Sequence, residues 1–224
     1  LQAIVLAGGL GTRLRSVIQD VPKPMAPING KPFLAFVLEY LKEQGITEVI
    51  LSVSYKYELI QDYFKDEFQE LKIIYNVEKE LLGTGGAIKD SLKFVKDKAY
   101  VLNGDTFFDI PLKEMKLEKS RICIALKQMQ NFDRYGNVKI DKQGFVASFE
   151  EKVFKEQGLI NGGIYLIKKD IFDGFVLEKK FSFEEFLQEN YKTLRIKTKV
   201  FDHYFIDIGI PEDYRRFMKL CKKC

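Results

Sequence analysis

The chain has 224 residues, 46% hydrophobic and 30% charged, and 36 basic against 32 acidic side chains leave a net charge of +4. That length suits one α/β domain with a substantial core, and the interspersed signs exclude a polybasic arm for nucleic acid or an anionic membrane. The first charged residue is Arg13 and no uncharged stretch approaches the ~18 residues of a membrane span, so a cytosolic (cytoplasmic) protein is expected, without signal peptide or membrane anchor. Three cysteines, Cys123, Cys221 and Cys224, do not make a secreted disulfide framework.

In chain order, residues 2–7 (QAIVLA), 48–54 (EVILSVS), 72–77 (KIIYNV) and 98–104 (KAYVLNG) read as buried strands. Amphipathic helices are predicted over 32–44, 56–68 and 85–96 between them. Such alternation predicts a Rossmann-like α/β fold, a mostly parallel sheet with helices on both faces and ligands at the carboxyl ends of the strands. From about Arg121 the pattern changes to strands joined by turns: RICIALKQM, YGNVKID, FVASFEE and LINGGIYLIKK, with the turn DKQG at 141–144. An antiparallel elaboration laid over the same edge is expected. Ser182 followed by Glu185 forms a capping box for a helix over 183–189. After a strand over 204–209, Pro211 opens a last helix that runs to the C-terminus. No repeat, low-complexity segment or linker appears, so a single domain is expected, with a nucleotide-binding part over about 1–120 and the elaborated part over about 121–224.

The stretch IVLAGGLGTRL places Gly8, Gly9 and Gly11 after the first strand, with Thr12 and Arg13 beside them. Glycines there let the backbone approach a ligand and turn its N–H groups toward an anion. The loop lacks the Gly-Lys-Ser/Thr of a P-loop. A dinucleotide fingerprint would put a small residue at Leu14 and an acid at the end of the second strand, which instead offers Ser52 and Ser54, so a NAD site is not expected. In VPKPM, Lys23 stands between two prolines that restrict the backbone, as suits an ammonium that meets a fixed negative charge. The single histidine, His203, reads as structural, and CKKC at 221–224 as a chain end rather than a zinc or redox site.

Taken in order, LAGGLGTRL, PKPM, LLGTGGA, NGD, EEK, NGGIY and DIGIPEDY resemble the sugar-1-phosphate nucleotidyltransferases over nearly the whole chain. The resemblance implies the nucleotide-diphospho-sugar transferase fold and a reaction joining a nucleoside triphosphate to a sugar 1-phosphate with release of pyrophosphate. It implies that Leu6, Ala7, Gly8, Gly9, Gly11 and Thr12 wrap the triphosphate, Arg13 stabilises the leaving group and Lys23 acts near the α-phosphate. By the same resemblance Asp105 and Asp207 hold Mg²⁺, and Glu78, Glu80, Gly83 and Thr84 lie against the nucleoside. Asn103, Gly136, Glu151, Lys152, Asn161 and Gly162 are assigned to the sugar phosphate. Leu81 and Val153 stand where many relatives carry proline.

A carboxylate at Glu78 or Glu80 accepts hydrogen bonds from both N1–H and the exocyclic amine of guanine, whereas uracil and thymine offer one ring N–H beside repelling carbonyls. Chemistry and resemblance together point to the guanylyl-transferring branch that acts on heptose 1-phosphates, with GTP and D-glycero-α-D-manno-heptose 1-phosphate as substrates. Mannose 1-phosphate with GTP, a hexose 1-phosphate with UTP or dTTP, and a non-catalytic nucleotide sensor remain the alternatives. Homo-oligomer formation is left open by the sequence.

Overall fold

In a computed structural model that describes residues 1–9 and 21–221, the elements follow in order. They are β1 (Gln2–Leu6), β2 (Pro27–Ile28), β3 (Lys31–Pro32), α1 (Phe33–Glu43), β4 (Glu48–Val53), α2 (Tyr57–Phe64), β5 (Glu67–Phe68) and β6 (Leu71–Val77). Next come α3 (Gly83–Ser91), β7 (Lys98–Asn103), β8 (Thr106–Phe108), β9 (Ile122–Phe132), β10 (Val138–Ile140), β11 (Val146–Phe149) and β12 (Lys155–Lys168). Then α4 (Phe183–Leu194), β13 (Lys197–Phe201), β14 (Phe205–Asp207) and α5 (Pro211–Cys221) complete the order. Contacts group these into two units. One holds Leu1–Leu81, Leu102–Phe107 and Phe205–Cys224, the other Leu82–Val101 and Phe108–Tyr204.

In the first unit β1, β4 and β6 pair in parallel and in step, Gln2 opposite Glu48 and Glu48 opposite Lys72. Ala3, Ile4, Val5, Val49, Ile50 and Leu51 are fully buried, the continuous apolar run expected of parallel strands covered on both faces. Helix α1 buries Phe33, Leu34, Val37, Leu38 and Leu41 on one stripe. It stops in a Schellman motif: Gly45 has φ +78, its N–H donates to Lys42 O (2.9 Å), and Ile46 N–H donates to Leu41 O (3.0 Å). Helix α5 opens on Pro211 with Glu212 and Asp213 in its first turn, where acids suit the helix dipole. Its Phe217 packs edge-on against Phe33 and Phe36 of α1, and Tyr214 Oη donates to Pro27 O at 2.5 Å.

In the second unit β13, β9, β12 and β7 lie side by side in that order. The pair β9–β12 is antiparallel and β13 joins β9 in parallel. Strands β10 and β11 form a hairpin whose DKQG turn is held by Asp141, its Oδ1 accepting from Gln143 N–H (2.8 Å) and Phe145 N–H (2.9 Å). Those backbone donors, Phe145 foremost, hold the Asp141 carboxyl below its usual range. Residues 122–132 and 155–168 are thus long members of this unit's own sheet rather than a separate layer above it.

Several boundaries differ from expectation. Helix α2 stops at Phe64, because Lys65 takes φ +53 and Glu67–Phe68 pairs with the start of β6. Helix α3 begins two residues early at Gly83 and ends at Ser91, with a 3-10 turn over Leu92–Phe94. Helix α4 runs to Leu194, five residues past the expected end, since Leu194 is buried and returns the helix to the core. Strand β13 has no counterpart in the predicted elements. The glycine loop from Leu10, with Gly11, Thr12 and Arg13, lies outside the described residues, as do residues 222–224.

Candidate functional site

In the first unit the ends of β1, β4 and β6 carry their chemistry at one edge. Leu6 closes β1, Ala7 N–H donates to Ser52 O (2.8 Å), and the chain then turns through Gly8 and Gly9. Ser54 Oγ donates to the Gly8 carbonyl. A Cβ on Gly8 would lie 2.9 Å from Glu78 Oε1 and 3.0 Å from Ser54 Oγ, so the residue must be glycine for this approach. Gly9 faces open space. Glu78 follows β6 directly, its N–H on Val53 O (2.8 Å) and its Oε1 accepting from Ser52 Oγ at 3.1 Å. A serine near the end of one strand therefore aims the carboxylate that follows the next toward the Gly8 turn. Glu80, two residues on, is exposed.

Beside this edge Asn103 leads into Gly104, whose N–H donates to Leu6 O at 2.9 Å. A Cβ on Gly104 would sit 2.7 Å from that same oxygen, so glycine sets how close Asp105 comes to β1. Lys23 starts a 3-10 turn after Pro22, closed by Met25 N–H on Pro22 O (2.8 Å) and Ala26 N–H on Lys23 O (3.0 Å). Its side chain is only 9% exposed and its Nζ lies 2.5 Å from Asp105 Oδ2. Asp207 accepts Gly209 N–H at 2.7 Å, and Ile208 N–H donates to Asp105 O at 3.0 Å. A Cβ on Gly209 would be 2.7 Å from Asp207 Oδ1 and 3.1 Å from Lys23 Nζ. The buried Lys23 ammonium thus pairs with Asp105, and the Asp207–Gly209 turn runs beside both.

The carboxylates of Asp105 and Asp207 are hard oxygen donors of the kind a divalent cation takes. Among the described residues no three His, Cys, Asp or Glu side chains cluster at metal distance, so water or phosphate oxygens would complete a shell.

In the second unit the glycines of LLGTGGA have a packing reason. A Cβ on Gly83 would lie 2.5 Å from Phe181 O, one on Gly85 2.2 Å from the Phe181 ring, and one on Gly86 2.6 Å from Lys179 O. Thr84 Oγ1 donates to Glu184 Oε2 (2.9 Å) and accepts Phe183 N–H (2.8 Å). Asn161 sits at an irregularity of β12: Asn161 opposes Leu126 and Tyr165 opposes Ile124, four steps against two. Its Nδ2 donates to Tyr165 Oη (2.8 Å) and its Oδ1 accepts Gly163 N–H (3.0 Å). Gly162 lets the Phe108 ring pass, 2.5 Å from where a Cβ would stand. Burial first, and then the charge of Glu184, push the Tyr165 phenol well up from its ordinary value.

Gly136 allows the Glu150 carbonyl to pass, 2.8 Å from its absent Cβ. Glu150 is bound by Lys139 (2.5 Å), Asn137 (2.7 Å) and Lys155 (3.1 Å), and Lys139 leads these in holding its carboxyl down to about 2. The expected sugar-side pair Glu151 and Lys152 is exposed beside it. Sequence reasoning missed Ser52, Glu150, Tyr165 and Glu184. Glu150 left a signal as the first acid of EEK, and Tyr165 as the tyrosine of NGGIY. His203 packs edge-on against Phe201, in keeping with a structural role.

A family model described as nucleotidyl transferase matches residues 2–223. The chain is 70% identical over 218 residues to D-glycero-alpha-D-manno-heptose 1-phosphate guanylyltransferase of Campylobacter jejuni, covering 97% of this chain and 99% of that one. It is 46% identical over 225 residues to the enzyme of that name from Aneurinibacillus thermoaerophilus, with 98% and 97% covered. Among solved structures, HddC from Yersinia pseudotuberculosis complexed with GMP-PN matches with a TM-score of 0.84 at 40% identity over 98% of each chain. These likenesses bear out the expected fold class, α/β with a mostly parallel sheet of the nucleotide-diphospho-sugar transferase kind.

Proposed function

The chain belongs to the nucleotidyl transferase family, and we propose that it transfers GMP from GTP to D-glycero-α-D-manno-heptose 1-phosphate, giving GDP-heptose and pyrophosphate. The observation that carries the choice of sugar and base is the 70% identity, over nearly the full length of both chains, to a guanylyltransferase of that name. A phosphate oxygen of the sugar 1-phosphate attacks the α-phosphorus in line, and the bond to the β-phosphate oxygen breaks with its electron pair leaving on pyrophosphate. The nucleophile is already anionic at neutral pH, so no general base is required, and the task of the protein is positioning and charge neutralisation.

Lys23, buried on Asp105, supplies positive charge for the α-phosphate oxygens. Glu78, aimed by Ser52 toward the Gly8 turn, is the carboxylate placed to accept from guanine N1–H and the exocyclic amine. Gly8, Gly9, Gly11 and Thr12 turn N–H groups to the triphosphate, and Arg13 meets the leaving pyrophosphate. Asp105 and Asp207 would hold Mg²⁺, which would supply positive charge to neutralise phosphate oxygens there. Asn161, Gly162, Gly136, Glu151, Lys152 and Asn103 serve the sugar phosphate, and Gly83 and Thr84 the nucleoside side. The chain works as one domain in the cytoplasm. No helix among the described residues is long and apolar enough to cross a membrane.

The test is pyrophosphate release with Mg²⁺ and the heptose 1-phosphate, comparing GTP, ATP, CTP, UTP and dTTP, with product mass checked. Turnover with GTP alone is expected. Equal rates with UTP or dTTP would overturn the base assignment, and turnover only with another sugar 1-phosphate would overturn the heptose.

A further inference from the structure

The glycine loop at the start of α3 and the Asn161 bend in β12 are 77 residues apart in sequence, yet one set of side chains joins them. The segment before α4 lies along the loop: Phe181 N–H donates to Leu82 O (3.0 Å) and Gly85 N–H donates to Phe181 O (3.0 Å). Thr84 is then gripped twice, by Phe183 N–H and by the Glu184 carboxylate, which also accepts from Ser182 Oγ at 3.2 Å. The ring of Phe183 packs edge-on against Tyr165 with centroids 5.0 Å apart. Tyr165 is fully buried, feels the charge of Glu184, and takes the Asn161 amide on its hydroxyl. The other end of that amide is fixed by Gly163 N–H. Nothing in the chemistry of phosphoryl transfer requires a buried tyrosine here. Among the described residues its hydroxyl accepts the Asn161 amide and so sets the rotation of Asn161.

We propose that Tyr165 and Glu184 are positioning residues, Tyr165 fixing the Asn161 amide for the sugar and Glu184 holding Thr84 of the glycine loop, with Phe183, bonded to Thr84 and packed on Tyr165, linking the two. The proposal rests on the assignment of Asn161 to the sugar phosphate and of the loop to the nucleoside. Tyr165→Phe keeps the ring and its packing on Phe183 but removes the acceptor for Asn161. The KM for the sugar 1-phosphate should rise roughly five- to tenfold, the size expected for one lost hydrogen bond, while the KM for GTP stays within twofold. Glu184→Ala releases Thr84, so the KM for GTP should rise. Glu184→Gln retains an acceptor for Thr84 and should restore the GTP value.

An unchanged sugar KM in Tyr165→Phe, or wild-type behaviour of Glu184→Ala, would overturn the proposal. An equal rise in both KM values in Tyr165→Phe would also overturn it, since that marks general loosening. If the wild-type protein turns over no heptose 1-phosphate, the functional reading fails by itself. The network is then read by hydrogen exchange at the Gly163 amide, which donates to Asn161. Faster exchange in Tyr165→Phe supports the proposal and unchanged exchange overturns it.

Discussion

Lys23 is held tightly in the first unit, with its ammonium on Asp105 and Gly209 shaped to admit it beside Asp207. Removing charge where charge develops costs about 10²–10³ in turnover in comparable sites. Asp105→Asn and Asp207→Asn should each lower kcat by roughly 10²-fold, and Lys23→Met by a similar factor, with circular dichroism unchanged. Pyrophosphate release measures this, and a near-normal rate removes that residue from the site. Glu78→Gln swaps one acceptor oxygen for an amide donor, which guanine N1–H or its amine then faces. The preference for GTP over UTP in kcat/KM should fall about tenfold, a loss that an unaimed, solvated glutamate would not show. Glu150 offers a pH test. Its folded-state carboxyl lies near 2, below the ordinary 4.5, so its stabilising contribution is full above about pH 4.5 and is lost as pH falls toward 2. The melting temperature of Glu150→Gln should therefore converge on that of the wild type through that window. Parallel curves across it would show that the lysine contacts do not act in solution.

Helix α4 makes a local prediction at the level of elements. Ser182 Oγ accepts Glu185 N–H at its N-terminus, and such caps are worth about 1 kcal/mol. Ser182→Ala should lower the melting temperature by roughly 2–4 °C for a chain of this size, read by calorimetry. That cap was legible because its signal lies within four residues. The strands β1, β4 and β7 were legible for a related reason: strands covered on both faces carry a nearly unbroken buried run. Helix α3 was misjudged at its start because glycine is a poor helix former, and at its end because the chain tightens into a 3-10 turn over Leu92–Phe94. Its Gly83, Gly85 and Gly86 are helical because residues 179–181 lie directly upon them, a contact no local window contains. Strand β13 went unread for a similar cause. Its lysines look like a solvated face, but Lys197 pairs with Glu118 (2.9 Å) and Lys199 with Glu114 (3.0 Å). In the site, Asp105 and Lys23 were legible through short motifs in a fixed order. Ser52 and Glu184 were not, because each matters only through a partner far along the chain, and Tyr165 meets Asn161 only through the bend in β12 between them.

At the scale of the whole molecule, the first unit draws its proposed nucleotide site from three separate segments. Residues 1–81 bring Gly8, Lys23 and Glu78, residues 102–107 bring Asp105, and residues 205–224 bring Asp207. Contacts such as Lys23 to Asp105, 82 residues apart, exist only once the unit is assembled. A ligand that bridges those segments binds the folded chain and not the unfolded one, so it must raise stability by mass action. At a hundred times its dissociation constant the gain is about 2.7 kcal/mol, which for a chain of this length is a rise of roughly 5–10 °C. GTP with Mg²⁺ should give that rise in a thermal-shift measurement, and UTP at the same concentration a clearly smaller one. Asp105→Asn should keep the response to GTP but lose its dependence on Mg²⁺, because the base contact and the metal donors lie on different segments. If GTP and UTP protect equally while only GTP is turned over, base choice is made in the transition state, and Glu78 then acts on kcat rather than on binding.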